Sequence, residues 1–299
     1  MIAVAGSTGY IGGSLCKRLR EDGAEVRALA RKPERAEDLR EAGCEVVQAD
    51  VLEPETLGPA LEGVDVAYYL VHSMGRGSDG DFAERDQDAA GNFAAAAASA
   101  GVKRVVYLGG LGEGSKHLDS RHATAEKLRK GEVPVSYFRA AAVIGAGSES
   151  FRTVFYLVRR LPVMVTPRWV TTRTQPVAVA DVVGYLAAAS DLGLPADREI
   201  QIGGPDVTTY GGMIDELAHA LGRRRPLRIT VPILTPWLSS LWIGLVTPVD
   251  AGVARPLIEG LSTETVVADP SGMALFPSVE RVPLEEALHE AAAGLRAGD

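Results

Sequence analysis

Gly6, Gly9 and Gly12 stand at three-residue intervals between an apolar run, Ile2 to Ala5, and a stretch rich in Leu and Arg that begins at Ile11. A bound diphosphate demands that placement. A strand that turns at once into a helix needs permissive backbone, the diphosphate must come close to the main chain, and the helix N-terminus presents unpaired N–H groups with partial positive charge. Gly6 is expected to make the turn, Gly9 to admit the diphosphate, and Gly12 to let the helix pack on the strand. Thr8, Tyr10 and Ile11 would give backbone donors, with a hydroxyl from Ser7 or Thr8. Such a glycine motif is weak alone; its place between a strand and an amphipathic helix makes it a dinucleotide site.

In an NAD site, an acidic residue about twenty positions further on holds the ribose hydroxyls. This chain reads Ala28-Leu29-Ala30-Arg31-Lys32-Pro33 there. Arg31 and Lys32 suit a 2′-phosphate, which points to NADP(H) in preference to NAD(H); the other reading is a pair of solvated cations in a turn. Asp50 and Val51 fit an adenine contact, with a turn or helix-cap role for Asp50 as the alternative.

Other chemistry is sparse. His117, Asp119 and His122 are too few for a metal site, and none is expected. Cys16 and Cys44 show neither metal spacing nor a disulfide framework and read as small buried apolar residues in a reducing compartment. No serine sits in a nucleophile-elbow pattern. Arg223-Arg224-Arg225 reads as a solvated turn before a strand at Leu227 to Val231, with a contact to a partner or an anionic headgroup as the sharper alternative.

These residues require a frame. Ile2 to Ala5, Glu25 to Ala30, Glu45 to Gln48, Val64 to Val71, Val105 to Leu108 and Val135 to Arg139 have strand character. Helical patterns alternate with them at Ile11 to Asp22, Arg35 to Ala42 and Phe82 to Ala100, where the run Ala94 to Ala98 suits a helix face packed closely on a sheet. The alternation predicts an α/β fold, a Rossmann-type doubly wound parallel sheet whose ligands bind outside the carboxyl ends of the strands. After Arg139 it loosens. Residues 1–160 are expected to form the NAD(P)-binding domain, rejoined by a strand near 199–202, and residues 161–299 to form most of a smaller, interleaved C-terminal substrate lobe.

The chain has 299 residues, 46% of them hydrophobic, with 31 Lys plus Arg against 39 Asp plus Glu and a net charge of -8. That composition excludes a disordered chain and argues against a nucleic-acid partner. Met1 to Gly6 read as a strand and not as a secretion signal, so a cytoplasmic setting is expected. Ile229 to Val249 contains no charged residue, but Pro232, Pro236 and Pro248 interrupt it. It is too broken for a transmembrane span, which leaves a pocket-lining segment or a peripheral membrane or lipid contact.

These motifs resemble the atypical short-chain dehydrogenase/reductase superfamily, in its NmrA-like and YbjT-like NAD(P)H-binding group. Beyond the glycine loop the resemblance runs through Tyr68-Tyr69-Leu70-Val71-His72-Ser73-Met74, Arg139-Ala140-Ala141-Ala142-Val143-Ile144-Gly145, Gln175 to Val182, Gly203-Gly204-Pro205, Thr208-Thr209-Tyr210 and Leu238 to Leu261, nearly the whole chain. It implies that Leu70, Val71 and His72 lie near the adenosine and its ribose, Leu108 and Gly109 near the nicotinamide ribose, and Arg139, Ala140, Ala141 and Val143 along the nicotinamide. Taken alone, Leu70, Val71 and Val143 are core residues. YbjT-like proteins often carry a further C-terminal lipid-transfer-like domain, for which this length leaves no room.

The resemblance also exposes a gap. Typical reductases of the superfamily use Tyr-x-x-x-Lys on the helix after the fifth strand, the tyrosine protonating the substrate oxygen. Counting back from Glu126 puts His122 at the lysine position and Leu118 at the tyrosine position. His122, His72 and Ser73 are the substitute catalytic candidates, against plainer roles as a surface histidine beside Glu126 and as packing in the cofactor loop. The expected function is an NADP(H)-dependent oxidoreductase acting on a small hydrophobic carbonyl, enone or quinone-like substrate. The alternatives are a non-catalytic NADP(H) sensor and a quinone- or lipid-associated accessory protein.

Overall fold

The structure, a computed structural model, describes residues 1–72, 82–231 and 263–298. Seven strands form the main sheet: β1 (Ile2–Ala5), β2 (Val26–Ala30), β3 (Glu45–Gln48), β4 (Val66–Tyr69), β5 (Arg104–Gly110), β6 (Val135–Ala140) and, much later, β11 (Arg198–Ile202). Their order is β11-β6-β5-β4-β1-β2-β3 and every pairing is parallel. The order reverses between β1 and β4, so the crevice between their carboxyl ends is the switch point at which such sheets bind ligands.

Alternate residues of each strand feed opposite cores, as the twofold strand repeat requires. Val4, Ala28, Tyr68, Val106 and Phe138 pack with Leu15, Cys16 and Leu19 of α1 (Tyr10–Glu21) and with Val182, Tyr185 and Leu186 of α7 (Val179–Ala188). Ala5, Leu29, Tyr69, Tyr107 and Tyr137 face α3 (Pro54–Leu61), α4 (Phe82–Ser99) and α5 (Lys116–Arg129). Because both faces are covered there, the central strands β1 and β4 read as unbroken apolar runs. On α4, Ala90, Ala94 and Ala97 are buried against the sheet, and Phe93 meets Tyr69 with ring centroids 5.1 Å apart. The small side chains let the helix sit close.

A third core joins α6 (Glu149–Arg160), α8 (Tyr210–Ala220) and α9 (Leu284–Gly298) through Ile144, Phe151, Phe155, Leu217 and Leu288. Ile144 is its first residue in the chain. The apolar stripe of α6 turns to α8 and not to the sheet, which sequence periodicity alone does not specify. α7 and β11 return to the main sheet. Arg104 fastens this return: buried within β5, it donates to the carbonyls of Ala189 and Asp191 at 2.9 and 2.6 Å, just past the end of α7. A cation at a helix C-terminus satisfies orphan carbonyls and opposes the helix dipole.

Asp181, 2% exposed in α7, ties α9 down by accepting Val282 N at 3.2 Å on each carboxylate oxygen. Burial pushes its carboxyl up to about 6 from an ordinary 3.8. The folded state therefore prefers the protonated form. Its contribution, at most about 3 kcal/mol, is complete below pH 3.8 and lost as pH rises through 6. Urea unfolding of wild type and Asp181→Asn between pH 4 and pH 7 should show wild type losing stability relative to the variant as pH rises; a constant difference would contradict this.

Candidate functional site

The turn from β1 into α1 is built without room for side chains. Gly6 has φ +84, and a Cβ there would lie 2.6 Å from the Leu70 carbonyl oxygen; one on Gly12 would lie 2.2 Å from the Gly6 carbonyl oxygen. Gly9 is less confined, with its nearest neighbour at 3.2 Å. Gly9 N donates to Gly6 O at 3.0 Å and Gly13 N to Gly9 O at 2.8 Å. Gly9 caps α1 without a side-chain hydrogen bond, and the first turn holds no acidic residue. The N–H groups of Tyr10, Ile11 and Gly12 therefore lack partners within the helix, the arrangement by which helix N-termini take up anions. The cradle fits a diphosphate.

Ser7 is fully buried and its Oγ donates to Leu29 O at 2.8 Å, bracing the loop on β2. Its proton is unavailable to a phosphate, which leaves the exposed Thr8 as the hydroxyl of the loop. Tyr10, assigned only a backbone role above, lays its ring over the loop after β7 (Val143–Ile144): a Cβ on Gly147 would fall 2.3 Å from Tyr10 Cδ2, and one on Gly145 2.5 Å from its Oη. The closely spaced Gly145 and Gly147 were the sequence signal for that contact.

Arg31 and Lys32 are both exposed at the carboxyl end of β2, and neither has a carboxylate partner among the described residues. Asp50 Oδ1 accepts Leu52 N at 3.0 Å, which makes it a turn residue in this state, and the buried Val51 is held through its carbonyl by Asn92 Nδ2 at 3.0 Å. Leu70, Val71 and His72 are half-buried beyond β4, where Leu70 N donates to Ala5 O at 2.9 Å across the switch point. Leu108 and Gly109 are buried at the end of β5. Gly109 has to be glycine, since a Cβ there would lie 2.8 Å from Tyr137 Oη. Ala140 and Ala141 are buried, and Val143 is half-buried in β7 against β10 (Val177–Ala178). Ser73 lies outside the described residues.

The side chain of Arg139 is engaged within the protein. Its guanidinium turns under the sheet toward α5, pairing with Glu199 of β11 at 2.6 Å and donating to Gly110 O at 3.4 Å and Gly112 O at 2.9 Å. With the side chain occupied, only its backbone is left to face a ligand. His122 joins this network: Nδ1 meets Tyr137 Oη at 2.9 Å, and Nε2 lies 3.1 Å from Gly112 O and 3.2 Å from Arg139 Nη2. Burial pushes the Tyr137 phenol up, so it keeps its proton. Two tautomers fit these distances: with the proton on Nδ1 the ring donates to Tyr137 Oη and Nε2 accepts from Arg139 Nη2, and with the proton on Nε2 it donates to Gly112 O while Tyr137 donates to Nδ1. The ring is thus no surface histidine beside Glu126, which instead pairs with Arg129 at 3.7 Å. Leu118 fills the tyrosine position; its Cδ2 would be 2.5 Å from a Cβ on Gly110. Tyr137 was missed because it comes from the neighbouring strand, beyond the reach of a one-helix motif.

Among the described residues there is no cluster of metal-ligating side chains and no helix long and apolar enough to cross a membrane. A model of an NAD(P)H-binding family matches residues 6–146. A ceramide reductase of Caulobacter vibrioides is 27% identical over 244 residues, spanning 79% of this chain and 75% of that protein. An NmrA-like family domain-containing protein of Dictyostelium discoideum is 29% identical over 110 residues, 36% of this chain and 34% of that one. The fold is shared with Citrobacter sp. triphenylmethane reductase complexed with NADP(H), at a TM-score of 0.76 and 20% identity, covering 97% of this chain and 100% of that one. Residues 6–146, just under half of the chain, are thus similar to an NAD(P)H-binding family, and the chain resembles a reductase and an NmrA-like protein over longer or shorter stretches.

Proposed function

We propose that the chain is an NADP(H)-preferring oxidoreductase reducing a hydrophobic carbonyl, enone or quinone-like compound. One observation carries this reading: a backbone cradle with no room at Gly6 and Gly12, open N–H groups on α1, and two exposed cations at the end of the neighbouring strand. A bound nicotinamide supplies hydride. Residues 6–12 would hold the diphosphate, Arg31 and Lys32 the 2′-phosphate, Asp50 and Val51 the adenine, and Leu70, Val71 and His72 the adenosine side. The segments around Leu108, Gly109 and Arg139 to Val143 would hold the other half, with the second lobe excluding water. Kinship with a ceramide reductase supports a reductive role on a greasy substrate. A cytoplasmic setting fits this reading.

The missing pair bears on the choice of substrate. Without a tyrosine acid tuned by lysine, an acceptor whose reduced form is a stabilised anion, an enolate or a hydroquinone, suits the site better than a simple ketone, whose alkoxide needs a proton at once. Proton handling falls to His122, with His72 and Ser73 as the other candidates. His122→Ala should lower turnover about 10²-fold, the low end for a positioned acid, and change its pH profile while NADPH affinity stays within about threefold. Unchanged turnover would exclude His122.

NADPH consumption across a panel of quinones, enones and ketones tests the main reading; binding without any oxidation would end it. A non-catalytic sensor is the second reading, favoured by Leu118 and His122 standing at the positions of the catalytic pair. It requires a partner whose affinity differs between the NADPH and NADP⁺ forms. The accessory role drawn from Ile229 to Val249 rests on a segment of which only residues 229–231 are described.

A further inference from the structure

β8 (Val163–Thr166) and β13 (Leu227–Thr230) lie side by side as a parallel pair, with Leu227 opposite Val163 and Ile229 opposite Val165. These four aliphatic side chains point outward, Leu227 and Ile229 at 63% and 49% exposure and Val163 and Val165 at 44% and 42%. For a ribbon facing water the alternation is inverted. Met164 and Thr166 are the buried residues of β8. Arg228 turns inward, bidentate to Asp215 at 2.7 and 2.8 Å, while the apolar residues on either side of it face out.

Both strands start from arginines. Arg159 and Arg160 end α6 just ahead of β8, and Arg223, Arg224 and Arg225 precede Pro226 and β13. Arg223 donates to the Arg159 carbonyl, so the two ends are fastened together. All five are exposed, and Arg223, Arg224 and Arg225 have no carboxylate partner among the described residues. On a chain of net charge -8 this is a local reversal of sign.

We infer that this ribbon and its arginine edge form a docking surface for an anionic phospholipid bilayer. An apolar face alone would suit any greasy partner, and an arginine row alone any polyanion. An anionic bilayer presents negative headgroups and an acyl boundary within a few ångströms of each other, and stable peripheral binding takes two such signals together. The surface stands independently of the proposed reaction.

Flotation of the full chain with phosphatidylcholine vesicles, with and without about one third phosphatidylserine, tests this. Binding should require the anionic lipid and weaken with salt. Arg224→Gln and Arg225→Gln together should lower the partition coefficient about twenty-five-fold, roughly fivefold per charge. Leu227→Ser with Ile229→Ser should lower it at least about tenfold. Melting temperature and NADPH affinity should stay unchanged in both, which separates lost docking from lost folding. A wild-type chain that stays with the supernatant overturns the inference. So does a serine variant that floats like wild type while heparin competes equally, which would assign the arginines to an acidic protein or other polyanion.

Discussion

Gly12→Ala is expected to lower NADPH affinity by more than about a hundredfold and to lower the melting temperature as well. The new Cβ would lie 2.2 Å from the Gly6 carbonyl oxygen and 2.9 Å from its carbon, both backbone atoms of a turn already at φ +84. No rotamer relieves such a contact. Either α1 moves off β1 or the Gly6 turn rotates, and each widens the cradle that aims the Tyr10, Ile11 and Gly12 N–H groups. Overpacking of this kind typically costs about 1–3 kcal/mol of stability. Gly9→Ala is the internal control. Gly9 has φ -83 and ψ 165, open to any residue, and its nearest clash is 3.2 Å. Its melting temperature should stay near wild type, so a large loss of cofactor affinity there would report close approach of the diphosphate itself. Fluorescence titration with NADPH and thermal melts of both variants check this, and equal melting losses for the two would contradict it.

Arg31→Ala should lower affinity for NADPH and NADP⁺ about ten- to a hundredfold and leave NADH and NAD⁺ nearly unchanged. A charge-assisted contact with a phosphate contributes roughly 1.5–3 kcal/mol, with the low end expected for an exposed cation screened by salt. Lys32→Ala should act in the same direction with a smaller effect, since an ammonium offers a point charge where a guanidinium offers a planar fork. Titration of the four dinucleotides against wild type and both variants measures this. Equal loss for all four would remove the 2′-phosphate assignment.

What could be read in the sequence was local. The strands β1 to β6 and the glycine turn follow from apolar runs and from a backbone requirement met within seven consecutive residues. Ser7, Tyr10, Tyr137 and Arg139 could not be placed in that way. Ser7 turns its hydroxyl to β2, Tyr10 reaches a loop more than a hundred residues on, and Arg139 pairs with Glu199, 60 positions away. Residue type gave their chemistry, but tertiary packing chose their direction. The position of α6 was hidden for the same reason, since an amphipathic stripe specifies that a face will be covered and leaves the covering element open.

The late arrival of β11 matters for how the chain is made. β6 is complete at Ala140, but the strand that covers its outer edge begins at Arg198. At about 5–20 residues per second the nascent chain spends roughly 3–12 s with that edge bare, a template for pairing with a neighbouring nascent chain. A fragment ending near residue 160 would keep the edge bare permanently and would also lack α7, which covers one face of the sheet. The segment up to residue 160 is therefore unsuited to life as a separate module.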